Sequence, residues 1–267
     1  MTQFKLPNNP AFREKVLVGY KELSSGKLVE GRFSFSRNSA ATLGRDGVIS
    51  TINNNIPRIQ GDGSILLEPA RTNLYQHSSD LTNAAWAPLG VSTQTVVDGN
   101  KSVTAISLDA TSGFKLIGQQ VTLTQGVDYT GFYVAKANTL DKFQIYSAGT
   151  GLNTSNYANF DLINGTVHNS TFPNAGIKPY VDGYFLCWVQ DTATDNSSGV
   201  MGISGIQSLS DGYRPQFTGD GVSTFYVWQS QLEAGSYPTS YIPTSGATAT
   251  RLEDTSSLND VVTKGYL

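Results

Sequence analysis

Short runs of bulky and β-branched residues, separated by polar turn residues, recur along the chain from residue 91 to residue 232. In several runs apolar and polar residues alternate, which is the two-residue period of a half-buried strand. The runs that we interpret as strands are 91–97, 102–108, 114–123, 129–135, 143–147, 157–162, 166–168, 184–189, 200–203 and 225–232. Their number and spacing predict an all-β fold, a jelly-roll β-sandwich of two antiparallel sheets.

Turn residues separate these runs. Asp182-Gly183 and Asp211-Gly212 are typical of tight turns, because aspartate bonds nearby backbone groups and glycine tolerates positive φ. Ile163-Asn164-Gly165 predicts a hairpin between the runs on either side of it. The sequence therefore indicates antiparallel strands joined by short connections.

Helical periodicity is nearly absent, and the one helix-compatible stretch lies near the N-terminus. In residues 9–17, Asn9 suits an N-cap and Pro10 suits the first helical position, so a capped turn or a short helix could form. We interpret residues 1–32 as an irregular N-terminal arm and a candidate attachment segment.

The remaining chain divides into three parts. Residues 33–75 carry sequence motifs and are expected to pack on the sandwich, which residues 76–235 form. Residues 236–267 are rich in Pro, Ser, Thr and Gly, which predicts an extended C-terminal arm. Pro238 and Pro243 stiffen that arm, because proline lowers the entropy lost when the chain path is fixed.

The composition predicts a packed core under a surface with few charges. Hydrophobic residues make up 39% of the chain, charged residues make up 15%, and the formal net charge is −3. This balance gives no basic surface and argues against nucleic-acid binding. No stretch approaches the roughly 20 apolar residues of a membrane span. The N-terminus lacks the apolar core of a signal peptide, so we expect synthesis in a cytoplasm and no membrane insertion.

Candidate metal ligands are sparse. Cys187 is the only cysteine and lies in the apolar run 185–189, which predicts a buried thiol and allows no intrachain disulfide. His77 and His168 lack partners at metal-ligand spacing. No metal site is predicted, because the aspartates that could offer oxygen ligands are first of all turn residues. These are Asp46, Asp62, Asp128 and Asp220.

Arginine and glutamate occur at a few positions in the segments that flank the strand runs. Arg37, Arg71 and Arg251 can each hold a carboxylate bidentately or cap backbone carbonyls, and Glu68 and Glu233 supply carboxylates. We interpret the five as structural anchors that fix the terminal segments onto the sandwich, so that Arg71→Ala destabilises the fold or the assembly. Ligand binding by the arginines is the alternative.

Two carboxylates also allow a catalytic alternative. Glu68 and Glu233 would act as general acid and base in glycoside hydrolysis only at a defined separation in a cleft. Neither lies in a recognisable hydrolase motif, and the sequence contains no catalytic-serine or phosphate-binding motif. We therefore expect that the chain is not an enzyme.

Aromatic residues are the candidate ligand contacts, because sugars stack their apolar C–H faces on tyrosine and tryptophan rings. Tyr184 and Trp188 share one strand face with Leu186, since side chains alternate with period two. Core packing is an equal alternative for Trp188. Tyr146 and Tyr157 are expected to be partly exposed. We interpret Tyr184, Trp188, Tyr146 and Tyr157 as candidate carbohydrate contacts.

Trp228 is interpreted instead as an anchor in the core. It lies between Val227 and Leu232 on the best-patterned strand of the chain. Packing of a ring at this position would fill the space between two sheets. The arm that follows adds three more anchors, Pro238, Tyr241 and Pro243.

Three longer strings are specific enough to indicate a family. They are F-S-R-x-S-x-A-T from Phe35, L-L-E-x-A-R-T-N-L from Leu66 and Q-L-E-A-G-x-x-P-T-S-Y-I-P-T from Gln231. Together they resemble a module that recurs in bacteriophage tail, fibre and head-decoration proteins. There it usually accompanies a β-sandwich that resembles a carbohydrate-binding module.

The resemblance implies a structural protein of the virion, made in the cytoplasm of a bacterial host. We expect a head-fibre or capsid-decoration subunit, or a small tail-fibre subunit, because no further domain follows Arg251. Its partners would be other virion proteins and further copies of the chain in a dimer or trimer. Its outward-facing sandwich would bind host-surface glycans weakly.

Two alternatives have different consequences. A receptor-binding tail protein or a dedicated carbohydrate-binding module requires exposed coplanar rings on one sheet. A glycan depolymerase is the least favoured alternative. The resemblance also leaves open a structural calcium ion, and no other cofactor is expected. Leu186 and Cys187 replace a polar or basic residue that the family often has, so the resemblance does not imply a ligand site there.

Overall fold

The structure is a computed structural model that describes residues 12–13, 16–22, 28–45, 48–60 and 65–259. In these ranges every regular element is a strand, and no helix that could cross a membrane is found. The chain divides into two compact units, one of residues 72–250 and one of residues 1–71 with 251–267. The strands are β1 (Phe12–Arg13), β2 (Val16–Glu22), β3 (Leu28–Ser36), β4 (Ala41–Arg45), β5 (Val48–Ile52), β6 (Arg58–Ile59), β7 (Ile65–Leu66), β8 (Arg71–Asn73), β9 (Ala87–Leu89), β10 (Val91–Asp98), β11 (Lys101–Leu108), β12 (Ser112–Phe114), β13 (Leu116–Gly118), β14 (Val121–Thr122), β15 (Asp128–Ala137), β16 (Lys142–Ala148), β17 (Tyr157–Asp161), β18 (Thr166–His168), β19 (Asn174–Pro179), β20 (Phe185–Thr192), β21 (Ser198–Ser204), β22 (Gln216–Thr218), β23 (Thr224–Ala234), β24 (Ala249–Arg251) and β25 (Thr255–Asn259).

The larger unit contains a jelly roll. Its strands in chain order are β11, β13, β15, β16, β17, β20, β21 and β23, and we number them one to eight. One sheet then has the order 1-8-3-6 and the other has the order 2-7-4-5. Neighbouring strands are antiparallel throughout. This is the strand order of a jelly roll built from two Greek keys, so the predicted all-β jelly-roll sandwich is confirmed.

Additional strands widen both sheets. The first becomes a six-stranded sheet in the order β10-β11-β23-β15-β20-β19. The second becomes a seven-stranded sheet in which the order is β18-β17-β16-β21-β13-β9, and β14 pairs with β21. The predicted runs correspond to strands of these two sheets, and the Ile163-Asn164-Gly165 turn joins β17 to β18 as expected.

The core between the two sheets is built from stacked aromatic rings. Phe143 stacks on Phe160 and on Phe225, with ring centroids 5.4 and 5.5 Å apart. Cys187 is buried in the same core, as predicted, and burial raises the pKa of its thiol well above the ordinary value. Because aromatic rings bury large apolar areas, this stack is a main source of the stability of the sandwich.

The connection before β9 also contributes to this core. Trp86 is buried there, with its ring centroid 4.9 Å from that of Tyr75 and 6.3 Å from that of Tyr133. The indole Nε1 donates to the His77 carbonyl at 3.0 Å, and the Tyr133 hydroxyl donates to the Met201 carbonyl at 2.6 Å. The polar atoms of these buried rings are therefore satisfied, as buried hydroxyl and indole groups require.

Residues 236–244 form a strap that is fixed to the end of β23. The Glu233 carboxylate accepts hydrogen bonds from the backbone N–H and the hydroxyl of Thr239, at 2.7 and 2.6 Å. The Gln231 side-chain oxygen accepts the Ile242 N–H at 2.7 Å. Glu233, one of the predicted anchors, thus holds the strap against the end of β23.

The ring of Tyr241, in the middle of the strap, packs in a buried apolar cluster of the larger unit. Tyr241 is buried, and its hydroxyl lies 2.7 Å from the Ser78 hydroxyl. Pro238 is half-buried, whereas Pro243 is exposed. The chain enters the strap at Gly235, whose φ of +146° suits glycine. The strap belongs to the same compact unit as the sandwich.

The smaller unit joins the two ends of the chain in one sheet. Its main sheet has the order β1-β2-β3-β25, and the hairpins β4-β5 and β6-β7 accompany it. Strand β25 pairs antiparallel with β3, with Thr255 opposite Ser36. Residues from the N-terminal and C-terminal ends of the sequence therefore fold together.

The short helix considered for residues 9–17 is not formed in the described part of that stretch. Phe12–Arg13 and Val16–Glu22 are strands that pair with each other, and the second also pairs with β3. Asn9 and Pro10 lie outside the described residues. Ladder hydrogen bonds from a partner strand satisfy the backbone here, and local capping signals cannot foresee such a partner.

An arginine network of Arg37, Arg58, Arg251, Glu68 and Asp254 lies inside the smaller unit. The Asp254 carboxylate accepts from Arg37 Nη1 at 3.0 Å and from Arg58 Nη2. The Glu68 carboxylate contacts Arg58 Nη1 at 2.6 Å and Arg251 Nη1 at 3.1 Å. The three guanidinium groups and the Asp254 side chain are fully buried or nearly so. Two carboxylates thus neutralise cations from both ends of the sequence.

The arginines of the network also cap backbone groups. Arg37 donates from Nε to the Ser39 carbonyl at 2.7 Å and from Nη2 to the Asn53 carbonyl at 2.9 Å. Arg251 Nη2 donates to the Pro69 carbonyl at 2.8 Å. The predicted anchor Arg71 lies in β8 and donates to the Ala70 carbonyl at 3.1 Å. Sequence reasoning identified Arg37, Glu68 and Arg251 as candidate anchors and missed Arg58 and Asp254.

We predict that Asp254→Ala lowers the free energy of unfolding of the smaller unit by about 3–5 kcal/mol, because it leaves Arg37 and Arg58 buried without their shared carboxylate. Calorimetric melting measures the change. The matched control is Glu253→Ala, which removes an exposed carboxylate at the adjacent position and should change stability by less than about 0.5 kcal/mol. Equal melting of the two variants would contradict a stabilising role for the network.

Candidate functional site

The outer face of the six-stranded sheet carries a second apolar cluster. Its floor is formed by Phe132 and Val134 of β15 and Leu186 of β20, all buried. Five larger side chains surround this floor, and we call them the aromatic face: Tyr180, Tyr184, Trp188, Tyr226 and Trp228. Strands β15 and β20 are thus apolar on both sides, because their inward residues belong to the sandwich core.

Trp188 packs against a neighbouring strand. It is paired with Phe132 of β15 on one side and with Gly176 of β19 on the other. A Cβ atom at Gly176 would meet three indole atoms at 2.6, 2.7 and 2.7 Å, so the indole occupies the space that a side chain at residue 176 would need. Any side chain at residue 176 would displace the ring. The indole is half-buried, which leaves part of it open to solvent.

Trp228 belongs to the aromatic face and lies at a β-bulge of β23. The register between β15 and β23 shifts so that Val134 is opposite Gln229 and Ala135 is opposite Val227, which leaves Trp228 without a partner in the ladder. Its ring centroid lies 5.7 Å from that of Tyr184. Trp228 is therefore half-buried on the outer face, and the prediction that it packs in the core between the sheets is wrong.

Charged groups form a rim beside these rings. Asp98 accepts hydrogen bonds from Lys136 Nζ at 2.8 Å and from the Tyr184 hydroxyl at 2.9 Å. The bond from Lys136 holds the pKa of the Asp98 carboxyl below its ordinary value. Burial and then the bond to Asp98 raise the pKa of Tyr184. Lys101 pairs with Asp182, and its Nζ lies 5.1 Å from the ring centroid of Trp228.

The four candidate carbohydrate contacts therefore fall on two different sheets. Tyr184 and Trp188 share the outer face of the six-stranded sheet, as their spacing predicted, but Tyr184 is only 1% exposed. Tyr184 packs against the Trp228 ring and donates a hydrogen bond to Asp98, and it offers almost no surface to a ligand. Tyr146 and Tyr157 face each other across β16 and β17 of the seven-stranded sheet.

Tyr146 is buried, although partial exposure was expected. Two glycines leave room for its hydroxyl, since a Cβ atom would lie 2.7 Å from that oxygen at Gly202 and 3.4 Å at Gly118. Burial raises the pKa of Tyr146 to about 12, and the charge of Arg214 opposes the shift. Tyr157 is half-buried, as expected. Because the glycines that bury Tyr146 lie on other strands, its own run gives no sign of them.

The carboxylates considered for catalysis have structural contacts. Glu68 belongs to the smaller unit, where it contacts Arg58 and Arg251. Glu233 belongs to the larger unit, where it holds Thr239 of the strap. Both contacts agree with the anchoring interpretation of these residues.

The aspartates considered as oxygen ligands have turn or strand contacts where they are described. Asp220 accepts the N–H groups of Val222 and Ser223 at 3.0 and 2.8 Å, and Asp128 accepts the Thr192 hydroxyl at 2.6 Å. Asp46 and Asp62 lie outside the described residues. The described part of the chain contains no group of three or more His, Cys, Asp or Glu side chains placed to hold a metal ion.

Comparison with known proteins identifies no family. No protein-family model matches the chain, and no curated protein matches it. The carbohydrate-binding and catalytic modules of endo-1,4-β-D-xylanase 10B from Clostridium thermocellum, in complex with xylohexaose, align at 11% identity and a TM-score of 0.33. That alignment covers 66% of this chain and 30% of the xylanase chain.

A second solved structure shows a similar level of likeness. A mannan-recognising carbohydrate-binding module, TmCBM27, aligns at 10% identity and a TM-score of 0.29, over 64% of this chain and 98% of the module. Both TM-scores are below 0.5, so the jelly-roll assignment stands on the strand order given above.

We predict that Gly202→Ala lowers the free energy of unfolding of the larger unit by about 1–3 kcal/mol, because the new methyl group collides with the Tyr146 hydroxyl and with the Ile117 carbonyl oxygen, 2.8 Å away. Urea unfolding followed by tryptophan fluorescence measures it. The control is Gly212→Ala, where a Cβ atom meets nothing within 4 Å. A neutral Gly202→Ala variant would show that Tyr146 is not confined as described.

Proposed function

We propose that this chain is a non-catalytic subunit of a bacteriophage virion whose jelly roll binds a glycan through the aromatic face. The subunit is a head-fibre or capsid-decoration protein, or a small tail-fibre protein. The observation that carries the glycan-binding part is the Trp188 indole, which packs directly against Gly176 and is partly open to solvent.

A fixed, half-open indole is suited to a sugar ring. Sugars present apolar C–H groups on one face, and a tryptophan that is already held in place loses little entropy when the sugar stacks on it. Trp188 is held by the surfaces of Gly176 and Phe132 on its two neighbouring strands. This packing keeps the ring ready for an incoming ligand.

Polar groups for the sugar hydroxyls lie on the same strands. Asn174 of β19 donates to the Gln190 side-chain oxygen of β20 at 2.9 Å. This pair lies two residues along the strands from the pair of Gly176 and Trp188, and therefore on the same face of the sheet. Amides offer both donors and acceptors, as hydroxyl recognition requires. One stacked ring with a few hydrogen bonds supports weak binding, with a Kd on the order of 1 mM, which corresponds to about 4 kcal/mol.

Support for a place in the virion comes from the three sequence strings. The arginine network contains Arg37 of the first string and Glu68 of the second. The third string supplies Glu233 and the strap that it holds. These residues of the strings are therefore structural, which agrees with a module recognised by its framework. Other virion proteins and further copies of the chain are the proposed partners.

We predict that neutral oligosaccharides that bind the protein bind the Trp188→Ala variant about tenfold more weakly, a loss of about 1.4 kcal/mol. A glycan array identifies the ligand, and titration calorimetry measures Kd. The control is Phe217→Ala, which removes a half-buried ring from the separate two-stranded sheet of β12 and β22 and should leave Kd unchanged. An equal loss of binding in the two variants would contradict a site at Trp188, and a wild-type protein without any glycan ligand would end the proposal.

We predict that particles of the source virus carry the chain on their surface. Immunoelectron microscopy of purified particles, with antibody against the full chain, measures its position. Label on the capsid supports a head fibre or decoration protein. Label at the tail tip supports the alternative of a receptor-binding protein, which the same aromatic face also suits. Particles that lack the chain would overturn the virion role and leave the glycan site to be judged by the titration.

A further inference from the structure

The loop that joins β21 to β22 lies over the outer face of the seven-stranded sheet. Gln144 of β16 donates to the Gly212 carbonyl at 2.9 Å and accepts the Arg214 N–H at 2.8 Å. Asn159 of β17 donates to the Leu209 carbonyl at 3.0 Å. Two buried amides thus hold the loop in one conformation.

This loop places the Arg214 guanidinium among three aromatic rings. The carbon atom Cζ lies 5.0 Å from the ring centroids of Phe114 and Tyr146 and 5.6 Å from that of Tyr213. The rings provide cation–π attraction and remove water from part of the guanidinium. Residue 214 is half-buried as a result.

The guanidinium of Arg214 lacks a counter-ion among the described residues. No ion pair joins it to a carboxylate, whereas the buried Arg37, Arg58 and Arg251 each contact one. Arg214 Nη1 lies 3.4 Å from the Tyr213 hydroxyl, and its buried Nε atom has no hydrogen-bond partner. A partly desolvated cation in this state favours an incoming anion.

The backbone at this residue is also unusual. Arg214 has a φ of +47°, in the left-handed region that side-chain-bearing residues seldom adopt. Such conformations persist where the surroundings impose them, and they concentrate at ligand-binding sites. The hydrogen bond from the Arg214 N–H to Gln144 is one contact that holds it. The side chain is therefore positioned by the fold before any ligand arrives.

We propose that Arg214 forms a second binding site that takes the carboxylate of an acidic sugar, such as a uronic acid within a polysaccharide. A guanidinium holds a planar carboxylate through two parallel hydrogen bonds. Tyr157 and Tyr213, whose ring centroids lie 6.3 Å apart, offer aromatic surface for the sugar ring beside the charge. The choice of a sugar over another carboxylate rests on the proposed glycan-binding function.

An acidic oligosaccharide and its carboxyl-reduced counterpart test the site. We expect oligogalacturonate to bind wild type at least about tenfold more tightly than the reduced form does. Arg214→Gln should lose that difference, and Arg214→Lys, which keeps the charge without the planar fork, should keep part of it. The control is Lys178→Gln, which removes an exposed cation on the six-stranded sheet and should change neither affinity.

The possible results separate support for an acidic-sugar site at Arg214 from evidence against it. Equal binding of the acidic and reduced sugars to wild type overturns the proposal, and this comparison stands even if Arg214→Gln fails to fold. Binding of polyglutamate but not of oligogalacturonate also overturns it, in favour of an acidic protein partner. Loss of acidic-sugar binding in Arg214→Gln, with binding retained in Trp188→Ala, supports it. Failure of neutral oligosaccharides to bind is a separate outcome that concerns the proposed function alone.

Discussion

The six-stranded sheet is apolar on both faces, and this constraint determines much of the larger unit. On β15, Tyr133 faces the partner sheet while Phe132 and Val134 face outward, and all three are fully buried. An outer face of this kind must be covered, because apolar surface exposed to water is unfavourable. The strap covers part of it with Tyr241, and the aromatic face covers more. Trp188 lies in this face and stays partly open to solvent.

Local alternation was sufficient to predict the strands of the jelly roll, but it could not predict details that depend on neighbouring strands. Strand β19 was missed because Gly176 and Pro179 both disfavour strands. Gly176 nevertheless gives Trp188 its place. Trp228 was assigned to the core although it alternates with Phe225 and Val227, whose side chains lie in that core. The bulge at Trp228 then returns Leu232 to the core, and a bulge is a property of the strand pair. Tyr146 was expected to be partly exposed because the glycines that make room for it lie on other strands.

Local sequence also could not predict the arginine network, because its residues are far apart along the chain. Arg37 and Asp254 are 217 residues apart, and Arg58 and Asp254 are 196 residues apart. The strings drew attention to Arg37 and Glu68, but nothing around Arg58 or Asp254 indicates a partner so distant in sequence. Several cations can be buried together only when carboxylates accompany them. Burial of these arginines therefore requires acidic partners such as Asp254, although the local sequence does not show which residue supplies them.

The two outer faces of the sandwich differ in how their charged side chains are paired. Beside the aromatic face, Lys101 and Lys136 are matched by Asp182 and Asp98, so the rim around these rings is balanced in charge. On the other sheet, Arg214 has no matching carboxylate among the described residues. A balanced face suits a neutral sugar, and a face with an unmatched guanidinium suits an acidic one. Because the two faces belong to opposite sheets, ligands on them would not compete.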